Sequence, residues 1–297
     1  MSRGASSFEG PPPGPAMRRY WTSRDGLLVL PGLAVFAAIY LYPLTRLAAW
    51  SFFDPTFTLK HYRVLFTQPA YLIALQNTLT ISASVTAIAL VLAYPLAYLM
   101  TTVSARTRSI LTALVLIPFW TSILVRTFAW LVILGKNGLV NQMLLRLGLV
   151  EAPVALIHNQ TGVQIGMVHV LLPFMILPLY SVMAGIDGGL LIAARSLGAR
   201  PVQVFLRIFL PLSLPGVHAG CLLVFLSSVG YYITPALLGG PRQITTAMLI
   251  DLMVNDLLNW GFGATLAILL LTTVVVLLVV VTSALGLGRI LRPASAA

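Results

Sequence analysis

The chain has 297 residues, of which 59% are hydrophobic and only 8% are charged. Soluble domains carry about 25% charged residues, so this composition excludes an ordinary soluble protein and indicates a membrane protein. The formal net charge of +11 comes from basic residues spread over many short loops, which argues against nucleic-acid binding. The single cysteine, Cys221, excludes an intrachain disulfide and a cysteine-based metal site.

The first 24 residues are rich in Gly, Pro and Ser, which predicts a disordered cytoplasmic tail. Residues 25–297 contain six apolar stretches of about 20 residues or more, the length that crosses a bilayer core. These stretches do not alternate apolar and polar residues, as strands of a membrane barrel would. We therefore predict an all-α polytopic membrane protein with one six-helix domain. The predicted spans are 27–50, 78–100, 110–134, 163–183, 217–238 and 264–285.

The distribution of basic residues predicts that both termini lie in the cytoplasm. With this orientation, eleven Lys and Arg residues fall on the inside and five on the outside, while Arg46 and Arg126 fall within spans. Two outer loops, 139–149 and 248–260, place Leu and Met at helical spacing, which predicts short amphipathic helices along the outer membrane surface.

The loop 185–215 between the fourth and fifth spans carries the most information. Ala193, Ala194 and Leu197 are predicted to share one side of a short helix that stops at Gly198. A second helix is predicted over 202–209, with Pro211 interrupting the chain where it re-enters the membrane. From the residues alone, this loop is either a surface that fits a partner or a simple re-entry elbow.

The spacing of Ala193-Ala194, Gly198, Ile208 and Leu210-Pro211 resembles the EAA loop of binding-protein-dependent ABC importer permeases. One position departs from that pattern, because Ile192 stands where the family usually has Glu. Residues 118–121 with Arg126, 172–180 and 234–240 are similar to the spermidine/putrescine importer permeases. Relatives in the same branch resemble importers of iron(III), opines and 2-aminoethylphosphonate, so the resemblance leaves the solute open.

The resemblance implies a type I ABC importer permease in the bacterial inner membrane, with polyamines as the expected solute. Implied partners are a dimer of ATP-binding subunits, a second homologous permease in a heterodimer, a periplasmic substrate-binding protein and the lipid bilayer. The implied ATPase-coupling residues are Ile192, Ala193, Ala194, Arg195, Leu197, Gly198, Ala199, Ile208 and Pro211.

The residues themselves predict no enzyme, no metal site and no cofactor in this chain. A phosphate-binding P-loop needs Gly-Lys followed by Ser or Thr, and Gly135-Lys136 is followed by Asn137. ATP and magnesium are therefore expected on the partner ATPase. A secondary transporter is the rival class, but the inverted repeats typical of that class are not found in the sequence.

Five side chains are candidates for the translocation pathway. Arg126 lies inside a predicted span, where a charge is costly and therefore a functional candidate; it could also snorkel or bind loop carbonyls. Tyr231 and Tyr232 could close a pore or face a cation, or belong to an interfacial aromatic belt. Trp120 and Tyr180 lie in the motifs that carry the resemblance. No Asp or Glu falls inside a predicted span, so a cationic solute would meet no buried carboxylate here.

Overall fold

The computed structural model describes residues 23–54 and 56–284, and these residues are almost entirely helical. The predicted tail therefore lies outside the described residues except for its last two positions, since the first helix begins at Ser23. The chain forms two compact units that meet in sequence at Ala49 and Trp50. The helices in chain order are α1 (Ser23–Phe52), α2 (Lys60–Thr67), α3 (Pro69–Thr102), α4 (Ala105–Trp120), α5 (Ile123–Leu134), α6 (Leu139–Arg146), α7 (Gln160–Ala184), α8 (Gly188–Ser196), α9 (Pro201–Val204), α10 (Leu210–Val229), α11 (Ile233–Leu238), α12 (Thr246–Asp251) and α13 (Trp260–Ala284).

Within the described residues, six helical stretches are long and apolar enough to cross a membrane, as the sequence predicts. They are Leu30–Phe52, Pro69–Thr102, Ile123–Arg146, Gln160–Ala184, Pro201–Val229 and Trp260–Ser283. The predicted first, second, fourth and sixth spans each fall on one of these helices, and residue 285 lies outside the described part of the chain.

The predicted third span, 110–134, is wrong as one continuous helix. Helix α4 ends at Trp120, and α5 begins at Ile123. Pro118 lies in the last turn of α4, and Thr121 has an extended backbone, so the helix is broken between the two halves. Apolarity alone did not reveal this break, because both halves are equally hydrophobic.

The predicted fifth span, 217–238, is displaced along the chain. The helical stretch starts at Pro201 and ends at Val229, and Gly230 to Tyr232 separate it from α11. The expected interruption at Pro211 is absent, because one π-turn, Phe205–Phe209, joins α9 to α10 without a gap. The wider turn accommodates a proline ring that would clash with the carbonyl four residues earlier in a regular α-helix.

The core lies where α3, α7 and α10 pack against one another. Ala89, Ala93 and Ala97 repeat every four residues along α3 and are fully buried, so they form one close-packed side of that helix. On α10, Gly216 and Gly220 lie against α7, and a Cβ on Gly216 would come within 3.1 Å of the Pro178 carbonyl oxygen. Small residues therefore let the three helix backbones approach closely.

Since the spans alternate in direction, the starts of α3, α7 and α13 lie at the end of the bundle opposite to α8. At this opposite end, Asp54 accepts a hydrogen bond from Lys60 Nζ at 2.9 Å and lies 3.0 Å from His61 Nε2. The Lys60 contact, followed by the His61 contact, lowers the pKa of the Asp54 carboxyl. Short helices lie here as predicted, with α6 inside 139–149, while the second begins earlier than predicted, at Thr246.

Candidate functional site

The loop between α7 and α10 is built around α8, whose two ends are both capped. The Asp187 side chain accepts the Gly189 backbone N–H at 2.8 Å. At the other end Gly198 has φ +85°, and the Ala199 and Gly198 N–H groups bond to the Ala194 and Arg195 carbonyls. These two bonds form a Schellman motif, which requires a left-handed residue and so explains the glycine.

The α8 surface has one side against the core and one side in the open. Leu191 packs against the core, and Ala194 is half-buried, so Ala194 is less open than Ala193 and Leu197, with which it was predicted to share one side of the helix. Ala193 is exposed, Ile192 is 67% exposed and Leu197 is 89% exposed. Among the other predicted coupling residues, Arg195 is exposed, Ala199 and Ile208 are half-buried, and Pro211 lies exposed in the first turn of α10.

An aromatic cluster fastens this loop to α3. The Phe205 and Phe209 rings of the π-turn lie 5.8 Å and 5.0 Å from the ring of Tyr98, each at a steep angle. One turn earlier on α3, the Tyr94 hydroxyl lies 2.9 Å from the hydroxyl of the buried Ser213. This cluster was not predicted from the sequence, although the aromatic residues are four positions apart on both segments, a spacing that places side chains next to each other on a helix.

Arg126 closes the break between α4 and α5. Its Nη2 atom donates to the carbonyl oxygens of Pro118 and Thr121, the latter at 2.7 Å, and its Nε atom donates to Thr121 Oγ1 at 3.1 Å. The two carbonyls lie in the last turn of α4 and directly after it, where a helix break removes the regular backbone N–H partners four residues ahead. Of the roles left open for Arg126, the structure therefore shows hydrogen bonding to backbone carbonyls.

The α4–α5 break and the α10–α11 break line one cavity of about 250 Å³. Arg126 belongs to the first break and Tyr231 to the second, so the structure brings these two predicted pathway residues together. The cavity is lined by Pro118, Phe119, Thr121, Ile123, Arg126, Val170, Phe174 and Tyr231. Irregular backbone within membrane spans is tolerated where it is buried in protein or lines a cavity, which is what both breaks do here.

The remaining predicted pathway residues do not line this cavity. Trp120, at the end of α4, is 90% exposed, and Tyr180 packs against the core on α7. Tyr232 is 38% exposed, and a hydrogen bond with Asp251 raises the pKa of its hydroxyl. Trp130 and His169 form a pair that was not predicted from the sequence, in which the indole Nε1 lies 3.3 Å from the imidazole Nδ1.

Residues 86–294 match the family described as binding-protein-dependent transport system inner membrane component. The chain belongs to this family. Among relatives, the spermidine/putrescine transport system permease protein PotB of Haemophilus influenzae is 39% identical over 81% of this chain and 82% of its own. PotB of Escherichia coli is 37% identical over 80% of this chain and 85% of its own.

The fold is also similar to a solved ABC importer. A chain of the bacterial transporter that imports the acidic polysaccharide alginate superposes with a TM-score of 0.74 at 22% identity, covering 91% of this chain and 98% of that chain. The protein is therefore a multi-pass inner-membrane permease subunit of an ABC importer. Such a permease is a transport subunit rather than an enzyme, and works with a binding protein and an ATPase.

The Gly198 conformation yields a first prediction. Gly198→Ala places a Cβ in the left-handed region, at a cost of about 1–2 kcal/mol, although open space surrounds the position. We expect the permease to insert normally but to retain less ATPase on purification and to lose most uptake. Gly148→Ala is a matched control, because Gly148 has φ +65° and open space at the opposite end. Equal loss of ATPase in both variants would contradict a coupling role.

The Arg126 hydrogen bonds yield a second prediction. Arg126→Gln removes charge-assisted hydrogen bonds worth about 1.5–3 kcal/mol each, so we expect a lower melting temperature in detergent and a lower maximal uptake rate. The KM for the solute should stay within twofold, because the guanidinium is occupied by carbonyls. Arg126→Lys should have an intermediate melting temperature and uptake rate, since lysine keeps the positive charge but lacks the several N–H donors of the planar guanidinium. Unchanged stability with a strongly raised KM would assign Arg126 to solute contact instead.

The shared cavity yields a third prediction. In a Cys221→Ala background, Tyr231→Cys should react with a membrane-impermeant thiol reagent, and the rate should change when nucleotide is trapped on the ATPase. Val224→Cys is the control, because Val224 is fully buried on α10 and should stay unreactive. A Tyr231→Cys variant that is unreactive in every nucleotide state would place this cavity outside the pathway.

Proposed function

We propose that this permease carries polyamines of the spermidine and putrescine type into the cell. The observation that carries the proposal is the similarity to PotB proteins, which extends over about four fifths of both chains. The fold neighbour that imports an acidic polysaccharide supports only the architecture, because its identity to this chain is 22%.

We further propose that the chain forms a heterodimer with a second homologous permease. Two ATPase subunits, which carry the ATP and magnesium, face the α8 end, and a periplasmic binding protein delivers solute at the opposite end. Both termini then lie on the ATPase side. The excess of basic residues on this side and the open surface of α8 support this orientation.

In this arrangement, closure of the ATPase subunits pushes on α8. The loop is fastened to α3 by the Tyr98, Phe205 and Phe209 rings and continues without a gap into α10. A displacement of α8 is therefore passed to two of the three core helices. The spans rock as a result, and the cavity between the two breaks changes its access from one side of the membrane to the other.

The electrostatics of the described spans are compatible with a cationic solute. None of the six candidate spans contains Asp or Glu, so a cationic solute would have to be bound by groups other than carboxylates. The Phe119, Phe174 and Tyr231 rings line the cavity, and aromatic faces attract ammonium groups. Arg126 lies in the same cavity, but its positive charge is directed to the carbonyls at the end of α4, where the helix dipole is negative.

A reconstituted complex with the cognate ATPase, second permease and binding protein tests the solute. We expect ATP-dependent uptake of radiolabelled putrescine into vesicles and competition by spermidine. 2-Aminoethylphosphonate, an opine and iron(III) should each compete less than a tenth as well. The same vesicles with an ATPase that binds but does not hydrolyse ATP are the control. Uptake of one of these other solutes in place of polyamines would overturn the polyamine assignment and leave the importer class intact.

A further inference from the structure

A carboxylate lies between two cavities at the end of the bundle opposite to α8. Asp54 comes two residues after the end of α1, and it lines one cavity of about 770 Å³ and a second of about 420 Å³. Its side chain is 41% exposed. Concave surfaces that combine apolar walls with a few polar groups are typical of small-molecule sites. A small molecule can therefore reach the Asp54 carboxylate from either cavity.

One oxygen of this carboxylate is free to accept a further hydrogen bond. Lys60 Nζ and His61 Nε2 lie 2.9 Å and 3.0 Å from the same atom, Asp54 Oδ2. Within residues 23–54 and 56–284, no hydrogen bond reaches Oδ1. The His61 side chain is only 5% exposed, so it fixes the carboxylate from the protein side. Lys60 is 57% exposed on a flexible stem, and an exposed ion pair of this kind is easily exchanged.

Aromatic rings flank the carboxylate on both sides. Trp260 lines both cavities, Trp50 lines the smaller one and Tyr71 lines the larger one. The Trp50 and Trp260 rings lie 5.6 Å apart at a steep angle, and the two residues are 40% and 50% exposed. A carboxylate oxygen accepts a charge-assisted hydrogen bond from an ammonium group, and indole faces attract its positive charge. These groups together are suited to an alkylammonium ligand.

We propose that Asp54, Trp50 and Trp260 form a binding site for a primary ammonium group. Two sources offer this chemistry at the membrane surface, namely a free diamine such as putrescine and the headgroup of phosphatidylethanolamine. The choice of the diamine rests on the proposed function, which has solute arriving at this end of the bundle. Lys60 already places an ammonium group beside Asp54, so it opposes the charge of an incoming ligand.

Binding of radiolabelled putrescine to the purified complex of both permeases and the ATPase, without the binding protein, tests the site. The complex is held in nanodiscs of phosphatidylcholine, whose headgroup has no N–H to donate. We expect Asp54→Asn to weaken binding about tenfold and Trp260→Leu about threefold. Lys60→Ala should tighten binding about threefold, because it removes the competing ammonium group. Lys136→Ala is the matched control, since Lys136 is the other lysine at this end, is exposed and lines neither cavity.

A second set of nanodiscs distinguishes the two sources. Phosphatidylethanolamine replaces part of the phosphatidylcholine, and native mass spectrometry counts the ethanolamine lipids that remain bound. If the headgroup occupies the site, the wild type should bind putrescine more weakly in these nanodiscs and should retain a lipid that Asp54→Asn loses. If the free diamine is the ligand, putrescine affinity should be the same in both membranes. Either result supports the site.

Two outcomes would overturn the proposal. One is equal putrescine binding and equal retention of phosphatidylethanolamine by the wild type and Asp54→Asn. The other is a parallel loss of binding and of melting temperature in Asp54→Asn and Lys60→Ala, which would make the ion pair purely structural. The gain expected for Lys60→Ala cannot arise from misfolding. Polyamine uptake without binding at Asp54 would refute this site alone, whereas lipid binding at Asp54 without polyamine uptake would refute the proposed function alone.

Discussion

The close approach of α3, α7 and α10 is the constraint on which the rest of the permease depends. Lipid is as apolar as the side chains, so association of spans relies on van der Waals packing rather than on the hydrophobic effect. Fully buried Ala89, Ala93 and Ala97 provide this packing on α3, and Gly216 and Gly220 provide it on α10. The three helices consequently form a closely packed frame, to which the α8 loop and the broken helices are attached.

The α8 end of this frame and its middle differ in how they are built. At the α8 end, Tyr94 and Tyr98 each follow a buried alanine by one residue, so the same helix packs the core and holds the π-turn. Beside Val170 and Phe174, in the middle of α7, the α4–α5 and α10–α11 breaks open a cavity instead of continuing the helices. In the rocking motion proposed above, a displacement of the α8 loop would reach the core through the aromatic cluster, and the interrupted helices lie where the access of the cavity would change.

Apolar length and motif spacing were enough to predict the membrane class, most of the spans and the α8 loop, including the glycine at its end. They did not predict the break before Ile123 or the early start of the fifth span at Pro201. In both cases a proline lies inside an apolar run, and its effect depends on what satisfies the freed backbone groups. Arg126, eight residues after Pro118, does so in one case, and the π-turn just before Pro211 does so in the other. Neither the Arg126 hydrogen bonds nor the π-turn produces a periodic pattern in the sequence, so neither could be predicted from apolar length or motif spacing.

The position of Arg126 also bears on how the proposed cationic solute would pass spans that, within the described residues, contain no Asp or Glu. In a cavity of low dielectric constant, a free guanidinium would repel an ammonium group strongly. Here the guanidinium lies against the last carbonyls of α4, which carry about half a negative charge from the helix dipole. These carbonyls therefore cancel part of the positive electric field of Arg126, the same residue that stabilises the helix break. The cavity is left with aromatic rings as its attractive surface, and in the proposed heterodimer a stronger anionic contact would come from the second permease or the binding protein.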